Sequence, residues 1–507
     1  MEMNKDLKLN SRSLAQTENH DQVNDFVINH EQVLESLLGQ IKPIDFALKA
    51  GVATGDKIAK QDIVVIAIDA LIDLSKQHKW GILVQNSQVS VYNGAYWKIV
   101  EPPEVKQFLG KAASLMGFAD LKSRYHTFVD DLYKQFQSAG YTPQRAVFGE
   151  NIKINFKNGT LEIMQNGELY FREFVAEDYF FYQLAFDYDP SATTKVFKQF
   201  VNRVLVDEKE QMILSEYCGY IFIRNSTLKL EKALILYGNG ANGKSTFFEV
   251  LYALLQNENI STFSLQTLTN ESGYQRAQIQ NKLLNYASEI GVKMDSTIFK
   301  QLSSGEPVEA RLPYGNPFII ENYAKLIFNT NELPKEVENN PAFFRRFIIL
   351  SFDQTIPEAE RDPEMAQKII NSELPGVFNW IIEGMKRLLA QKAFSDSPKS
   401  QRALEDYKRQ SDSVAMMIAE INYYPGYNKS ITLKKSYEYY KTYCADSGFK
   451  PCAINRYSDR LRKLGFAVER NKHGNLLFFE NFLNDDASDT LSTPLNDQNE
   501  DDEIWQL

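Results

Sequence analysis

Cysteine and histidine are scarce: three and five residues in a chain of 507. Cys218, Cys444 and Cys452 lie too far apart for paired-thiol spacing, which argues against a structural zinc site. Neutral thiols in a reducing compartment are the expectation. No apolar run approaches the length of a membrane span, so no membrane partner is expected. Residues 1–24 are polar and carry acids, unlike a signal or transit peptide. A protein of the cytoplasm, that of a bacterial host, follows as the expected location. Basic charge is missing from one end: residues 480–507 hold nine Asp/Glu and no Lys/Arg. That tail accounts for most of the net charge of −10, since the rest of the chain carries 57 acids against 56 bases.

What is present is an ordinary globular composition, 43% hydrophobic and 24% charged, with length for about three domains. The basic residues are concentrated as the acidic ones are: residues 429–472 hold eleven Lys/Arg and four Asp/Glu. A basic module followed by an acidic tail points to a nucleic-acid contact.

The most informative stretch is 233–255. A short apolar run, 233–237, reads as a buried strand. It is followed by Gly238, Asn239, Gly240, Ala241, Asn242, Gly243, Lys244, Ser245 and Thr246, the spacing of a P-loop. Phe247, Val250, Leu251, Leu254 and Leu255 then recur at helical spacing. Strand, glycine-rich loop and helix are the context in which backbone N–H groups surround phosphate oxygens at a helix N-terminus. Lys244 is expected to reach the β- and γ-phosphates of ATP, and Ser245 to hold Mg²⁺.

Later apolar runs fit the same fold. Residues 282–290 end in Glu289, 45 positions after Lys244, where an acid at a neighbouring strand end can polarise water or support Mg²⁺. Residues 308–312 and 318–320 flank a Pro313–Pro317 turn cluster and read as a hairpin, with Arg311 and Tyr314 near its tip. A cation and an aromatic there suit single-stranded DNA, and a plain surface hairpin is the alternative. A third strand ends in Asn331, placed to sense the γ-phosphate. A fourth follows Arg345 and Arg346, either surface charges or the source of an arginine finger. Two acidic pairs, Asp130-Asp131 and Asp187/Asp189, resemble metal-binding carboxylates. Their surroundings read instead as a solvated helix and a turn.

Upstream, residues 33–38, 63–74 and 105–137 read as helices, with hairpin signals at Asn93-Gly94 and Asn158-Gly159. Residues 196–205 and 211–221 read as apolar-periodic helices. Downstream, residues 414–421, 433–445 and 455–464 read as three helices, followed by a hairpin around Lys472. The third helix carries Arg456, Arg460, Arg462 and Lys463, the residues expected to meet DNA. The stripe Tyr437, Tyr440 and Tyr443 is expected to be core.

In order, Gly238 to Thr246, Tyr286 to Glu289, Ser304 to Glu306, Ile327 to Pro334 and Phe344 to Arg346 resemble the superfamily 3 helicase domain. More narrowly, they resemble the phage/plasmid and poxvirus-type primase-helicase family. The resemblance extends from about residue 85 to 480, through 186–192, 217–220, 373–380 and 383–384. It implies an α/β AAA+-like P-loop motor with an α+β N-terminal region and a C-terminal winged helix. The boundaries are a disordered 1–25, an accessory α+β domain at 26–140, a mostly helical domain at 141–225 and the motor at 226–360. A helical lid or linker at 361–408, a winged helix at 409–480 and a disordered acidic tail at 481–507 complete the chain.

The resemblance also implies a ring, usually hexameric, with each ATP between protomers. Lys244, Ser245 and Glu289 act in cis, Asn331 is the sensor, and Arg345 or Arg346 reaches in from the neighbour. Residues 308–320 line a channel that moves single-stranded DNA, and forked DNA is the substrate. Two positions depart from the family: Ser288 stands where a second acid is usual, and the hairpin tip lacks a lysine. Residues 1–150 show no primase signature, so a separate primase or another replication protein is an expected partner, with the acidic tail as a candidate docking segment. Replicative helicase, origin-binding initiator and packaging or signalling ATPase are the functions considered. The arginine pair, the hairpin and the winged helix favour the first two.

Overall fold

The structure, a computed structural model, describes residues 27–53, 56–77, 81–85, 88–141, 151–291, 294–334, 340–472 and 474–481. The N-terminal segment expected to be disordered and the acidic tail beyond Asn481 lie outside these residues.

Residues 27–141 form an α+β unit. Helices His30–Gln40, Lys60–Gln77, Pro102–Leu115 and His126–Ala139 enclose one core. Ile63, Val64, Ala67, Ile68 and Leu71 supply one stripe of it at helical spacing. An antiparallel sheet of Ile82–Gln85, Gln88–Tyr92 and Trp97–Val100 covers the helices. The Asn93-Gly94 signal closes its second hairpin, where the Asn93 side chain accepts from the N–H groups of Ala95 and Tyr96. Asp130 pairs with Lys106 at 2.7 Å and Asp131 with Lys60 at 2.6 Å, so this acidic pair serves a helix surface.

The segment 141–225 differs from the mostly helical domain expected. Its first part is a three-stranded antiparallel sheet of Ile152–Phe156, Gly159–Ile163 and Leu169–Arg172. Helices Val196–Val204 and Glu208–Tyr220 follow. Nor is it separately cored. Ile154, Phe156 and Leu161 belong to one continuous cluster with Leu234, Leu236 and Phe378 of later segments. These short strands alternate inward apolar residues, so they bury only one face and need the neighbouring helices to cover it. Asp189 accepts from both the N–H (2.8 Å) and the hydroxyl (2.6 Å) of Ser191, which makes it a turn residue.

The central unit is a five-stranded parallel sheet. Its strands are β1 (Ala233–Tyr237), β2 (Ile260–Ser261), β3 (Leu284–Ala287), β4 (Lys325–Thr330) and β5 (Phe347–Ser351), in the spatial order β5-β1-β4-β3-β2. Continuous apolar runs such as that of β1 are what a parallel sheet covered on both faces requires. After β1 comes helix α1 (Lys244–Leu255), which buries Phe247, Val250, Leu251, Leu254 and Leu255 as its spacing predicts.

Three helices at 365–410 complete this unit. Helix Leu374–Gln391 lies so close to Glu208–Tyr220 that a Cβ at Gly384 would sit 2.4 Å from the Ser215 backbone. Three buried glutamates link the same regions. Glu373 accepts from Thr194, Val196 and Phe197, Glu216 pairs with Arg387 at 2.6 Å, and Glu210 pairs with Lys399 at 3.0 Å.

The last unit has helices Ser413–Glu420, Leu433–Asp446 and Ile454–Lys463 with the expected hairpin of Val468–Asn471 and Gly474–Asn481. Strand Tyr423–Thr432 was not foreseen; it pairs with Gly474–Asn481 across a bulge between Tyr424 and Lys429. Pro425 and Gly426 interrupt its pattern, which is why it does not read as a strand. The tyrosine stripe is core: Tyr440 is fully buried, stacks on Tyr457, and shares a 2.7 Å hydrogen bond with Ser413. Among the described residues no helix is long and apolar enough to cross a membrane.

Candidate nucleotide cleft and the surfaces around it

β1 lies between β5 and β4, and the glycine-rich loop leaves its C-terminal end. In a parallel sheet this is the edge at which ligands bind. Two glycines are required by space. A Cβ at Gly238 would lie 2.4 Å from the Phe352 carbonyl oxygen. Gly243 has φ +87°, and a Cβ there would lie 2.6 Å from Val204 Cγ1. The loop is held by the segment after β5. Asn242 Nδ2 donates to the Phe352 carbonyl at 2.8 Å, and the Ile356 N–H donates to that of Ala241 at 2.8 Å.

Lys244 is buried within its own loop. Its ammonium donates to the Gly238 carbonyl at 2.5 Å, to Asn242 Oδ1 at 3.1 Å and to the Asn239 carbonyl at 3.4 Å. No carboxylate is among these acceptors, and burial pushes its pKa down. Over the loop opens a cavity of about 700 Å³. Gly240 to Thr246 form its floor, and Ser288, Asn329, Thr330 and Asn331 form one wall. Tyr286 steadies that wall by donating to Asn329 Oδ1 at 2.9 Å.

The cavity thus brings together the loop, Lys244, Ser245 and Asn331. It does not include Glu289, which is exposed just past Ser288, the residue that does line it. The opposite wall was missed by sequence reasoning. Val196, Phe200 and Arg203 come from helix Val196–Val204, and Ile356, Arg361 and Met365 from the segment after β5. Arg203 pairs with Glu360, and Arg361 Nε donates to the Ile356 carbonyl at 3.0 Å. Asp362, also in this wall, accepts from Lys368 at 2.7 Å, which holds its pKa down. Arg203 and Glu360 are 157 residues apart in sequence, and a wall joined over that separation leaves no local signature.

The arginine pair stands at the other edge of the sheet, before β5. The two side chains have different surroundings. Arg346 is buried, donating to Ser304 Oγ at 3.1 Å and to the Ala342 carbonyl. Arg345 is 63% exposed and pairs with Glu231 at 2.9 Å. Strands of five residues rise about 16 Å, which separates Arg345 from the loop of its own protomer.

The hairpin forms as expected from Val308–Arg311 and Pro317–Ile320. Tyr314 at its tip is fully exposed in a left-handed backbone conformation, φ +60°. Arg311 is turned back onto the tip, donating to the Gly315 carbonyl at 2.9 Å. Buried Arg276 anchors the base, donating to the carbonyls of Glu309 (2.7 Å) and Leu268 (3.0 Å). In the last unit Arg456, Lys463 and Lys472 are exposed. Arg462 pairs with Asp459 at 3.2 Å. Arg460 is half-buried and 3.5 Å from Asp412, the residue that caps Ser413–Glu420, so packing occupies it.

The fold and site define a parallel α/β unit with a glycine-rich loop under a cleft, flanked by two α+β units. Comparison with known proteins adds two partial matches. Residues 69–206 match the family model described as D5 N terminal like. Residues 236–346, from the loop to Arg346, match a family of unknown function, DUF5906. No curated protein matches the chain. Among solved structures, an apo structure of the NrS-1 C terminal region is similar over 82% of this chain and 98% of that one, at 13% identity and a TM-score of 0.40. An A form of the same region is similar over 70% and 77%, at 15% identity and a TM-score of 0.38. Both likenesses are weak.

The loop glycines give a direct check. Gly243→Ala is expected to cost about 1–3 kcal/mol through backbone strain and overlap with Val204. A Cβ at Gly240 meets nothing within 4 Å, so Gly240→Ala should leave thermal stability unchanged. Thermal melts of both variants beside the parent check the contrast.

Proposed function

We propose that this chain is an ATP-dependent DNA helicase of the superfamily 3 type, acting in replication as one of the phage-type primase-helicases. The exposed Arg345, on the sheet edge opposite its own loop, carries this reading. It is what a ring with nucleotide sites between protomers needs, and it lies at the end of the sheet away from its own loop. The ordered motifs and the D5 N terminal like match support the family.

In this reading the loop N–H groups and Lys244 hold the phosphates of ATP, while the apolar wall of Phe200, Ile356 and Met365 covers the base. Ser245 in the cleft floor, with Glu289 just outside it, would hold Mg²⁺, which would supply charge neutralisation at the phosphates. Asn331 and Glu289 orient and polarise the attacking water. Arg345 of the next protomer in a hexameric ring faces the charge that develops in transfer. The Tyr314 hairpins line the channel and grip single-stranded DNA by stacking. The C-terminal unit acts as a winged helix, with Arg456, Lys463 and Lys472 on phosphates. Its basic surface also suits a second reading, an origin-binding initiator that unwinds little.

A forked duplex with ATP tests the proposal. Strand separation supports the helicase. Sequence-specific duplex binding without separation supports the initiator, and ATPase activity indifferent to DNA rejects both. Tyr314→Ala should lower single-strand affinity by about 1–3 kcal/mol, as loss of one stacked base does. ATPase activity without DNA should stay unchanged, which fluorescence anisotropy beside a turnover assay can check.

A further inference from the structure

Glu231 precedes β1 and is mostly buried, 24% exposed. Its carboxylate collects three cations: Arg345 at 2.9 Å, Lys229 at 3.4 Å and Arg346 at 3.8 Å. Arg346 has other partners in Ser304 and Ala342, whereas Glu231 is the carboxylate that meets Arg345. Glu231 itself adopts φ +57°, a left-handed conformation that a β-carbon disfavours. The chain at Arg345 is fixed from the same side. Lys232 donates to the Arg345 carbonyl, and the Ala233 N–H donates to that of Arg346 at 2.7 Å. The base of the Arg345 side chain is therefore fixed, while among the described residues its guanidinium is held at one end by the Glu231 carboxylate.

We propose that Glu231 is a positioning residue for Arg345. It parks the guanidinium on its own protomer until the triphosphate bound by a second copy of this chain displaces the carboxylate. The exchange runs downhill because a phosphate group offers more charge and more acceptor oxygens than one half-screened carboxylate. The parked pair is partly exposed and therefore weak enough to give way. The inference rests on the trans role of Arg345 in the proposed function.

The test is ATP turnover by the full chain in a double-mutant comparison. Glu231→Gln removes the charge at nearly constant shape, and Glu231→Asn does so with a residue that tolerates the left-handed backbone. Each should raise kcat about two- to fivefold with KM unchanged, the range of a weak ion pair released. In an Arg345→Ala background neither should change kcat, because Glu231 acts only through Arg345. An unchanged or lowered kcat in both folded variants overturns the parking role, as does an equal rise without Arg345. Full turnover by Arg345→Ala alone overturns the trans reading itself, and the parking role falls with it. Loss of turnover in Arg345→Ala with no effect at Glu231 overturns the parking role alone.

Discussion

Arg345→Ala is expected to lower ATP turnover about 10³-fold or more, the contribution of an arginine supplied to a transferring phosphoryl group. Its thermal stability should stay within about 0.5 kcal/mol of the parent, because the side chain is exposed and its ion pair with Glu231 is screened by solvent. The loss should be repaired in trans. Lys244→Ala protein is inactive at its own loop but keeps Arg345, so mixing the two variants rebuilds complete sites at mixed interfaces. Turnover that rises with the mixing ratio checks this. Turnover that stays at the sum of the two variants removes the inter-subunit site.

Arg346→Ala separates a structural arginine from a catalytic one. Its guanidinium is buried and donates to Ser304 and the Ala342 carbonyl, and alanine leaves the buried Ser304 hydroxyl without that donor. A loss of about 1–3 kcal/mol in stability is expected, read as a lowered Tm, with no repair by Lys244→Ala protein. The pair lies in the turn between helix Pro341–Phe344 and β5, where one arginine turns into the core and the other outward. Nothing in the letters Arg345-Arg346 decides which does which.

The same contrast runs through the molecule. The loop was legible because its chemistry is local: Gly238, Gly243 and Lys244 are close in sequence, and the flanking strand and helix declare themselves by period. β3, β4 and β5 were legible as apolar runs, and the hairpin as a turn cluster. The two-residue β2 was too short to carry a pattern. The cleft's second wall was not legible, since Phe200, Arg203 and Arg361 reach the loop only through tertiary packing. Buried Glu210, Glu216 and Glu373 were equally silent, because a carboxylate belongs in a core only when distant donors supply its hydrogen bonds. For Glu373 those donors lie at 194–197, and for Glu216 at 387 and 395. Arg460 read as a DNA contact because its helix is basic, yet its place on the helix turns it toward Asp412.

Lys244→Ala is the other large expected effect. The ammonium lies on acceptors from its own loop, 7% exposed, with no carboxylate among them. Burial holds its pKa down, so the charge is carried against a desolvation penalty. Phosphate oxygens relieve that penalty: neutral carbonyls are exchanged for anionic acceptors, whose bonds are about twice as strong. The bond counts for most where charge grows in the reaction, so removing it should lower kcat about 10²–10³-fold. Strand separation on a forked duplex should disappear with it. Stability should fall by only about 1 kcal/mol, since Asn242 keeps its bond to the Phe352 carbonyl and the loop keeps its frame. Lys244→Arg should not rescue, because a planar five-donor fork does not fit a space shaped for one point charge. In the proposed function the ammonium serves the β- and γ-phosphates, so affinity for ATP and ADP should drop in Lys244→Ala while affinity for AMP does not. Equal losses for all three nucleotides would instead mean that the variant had lost the loop itself.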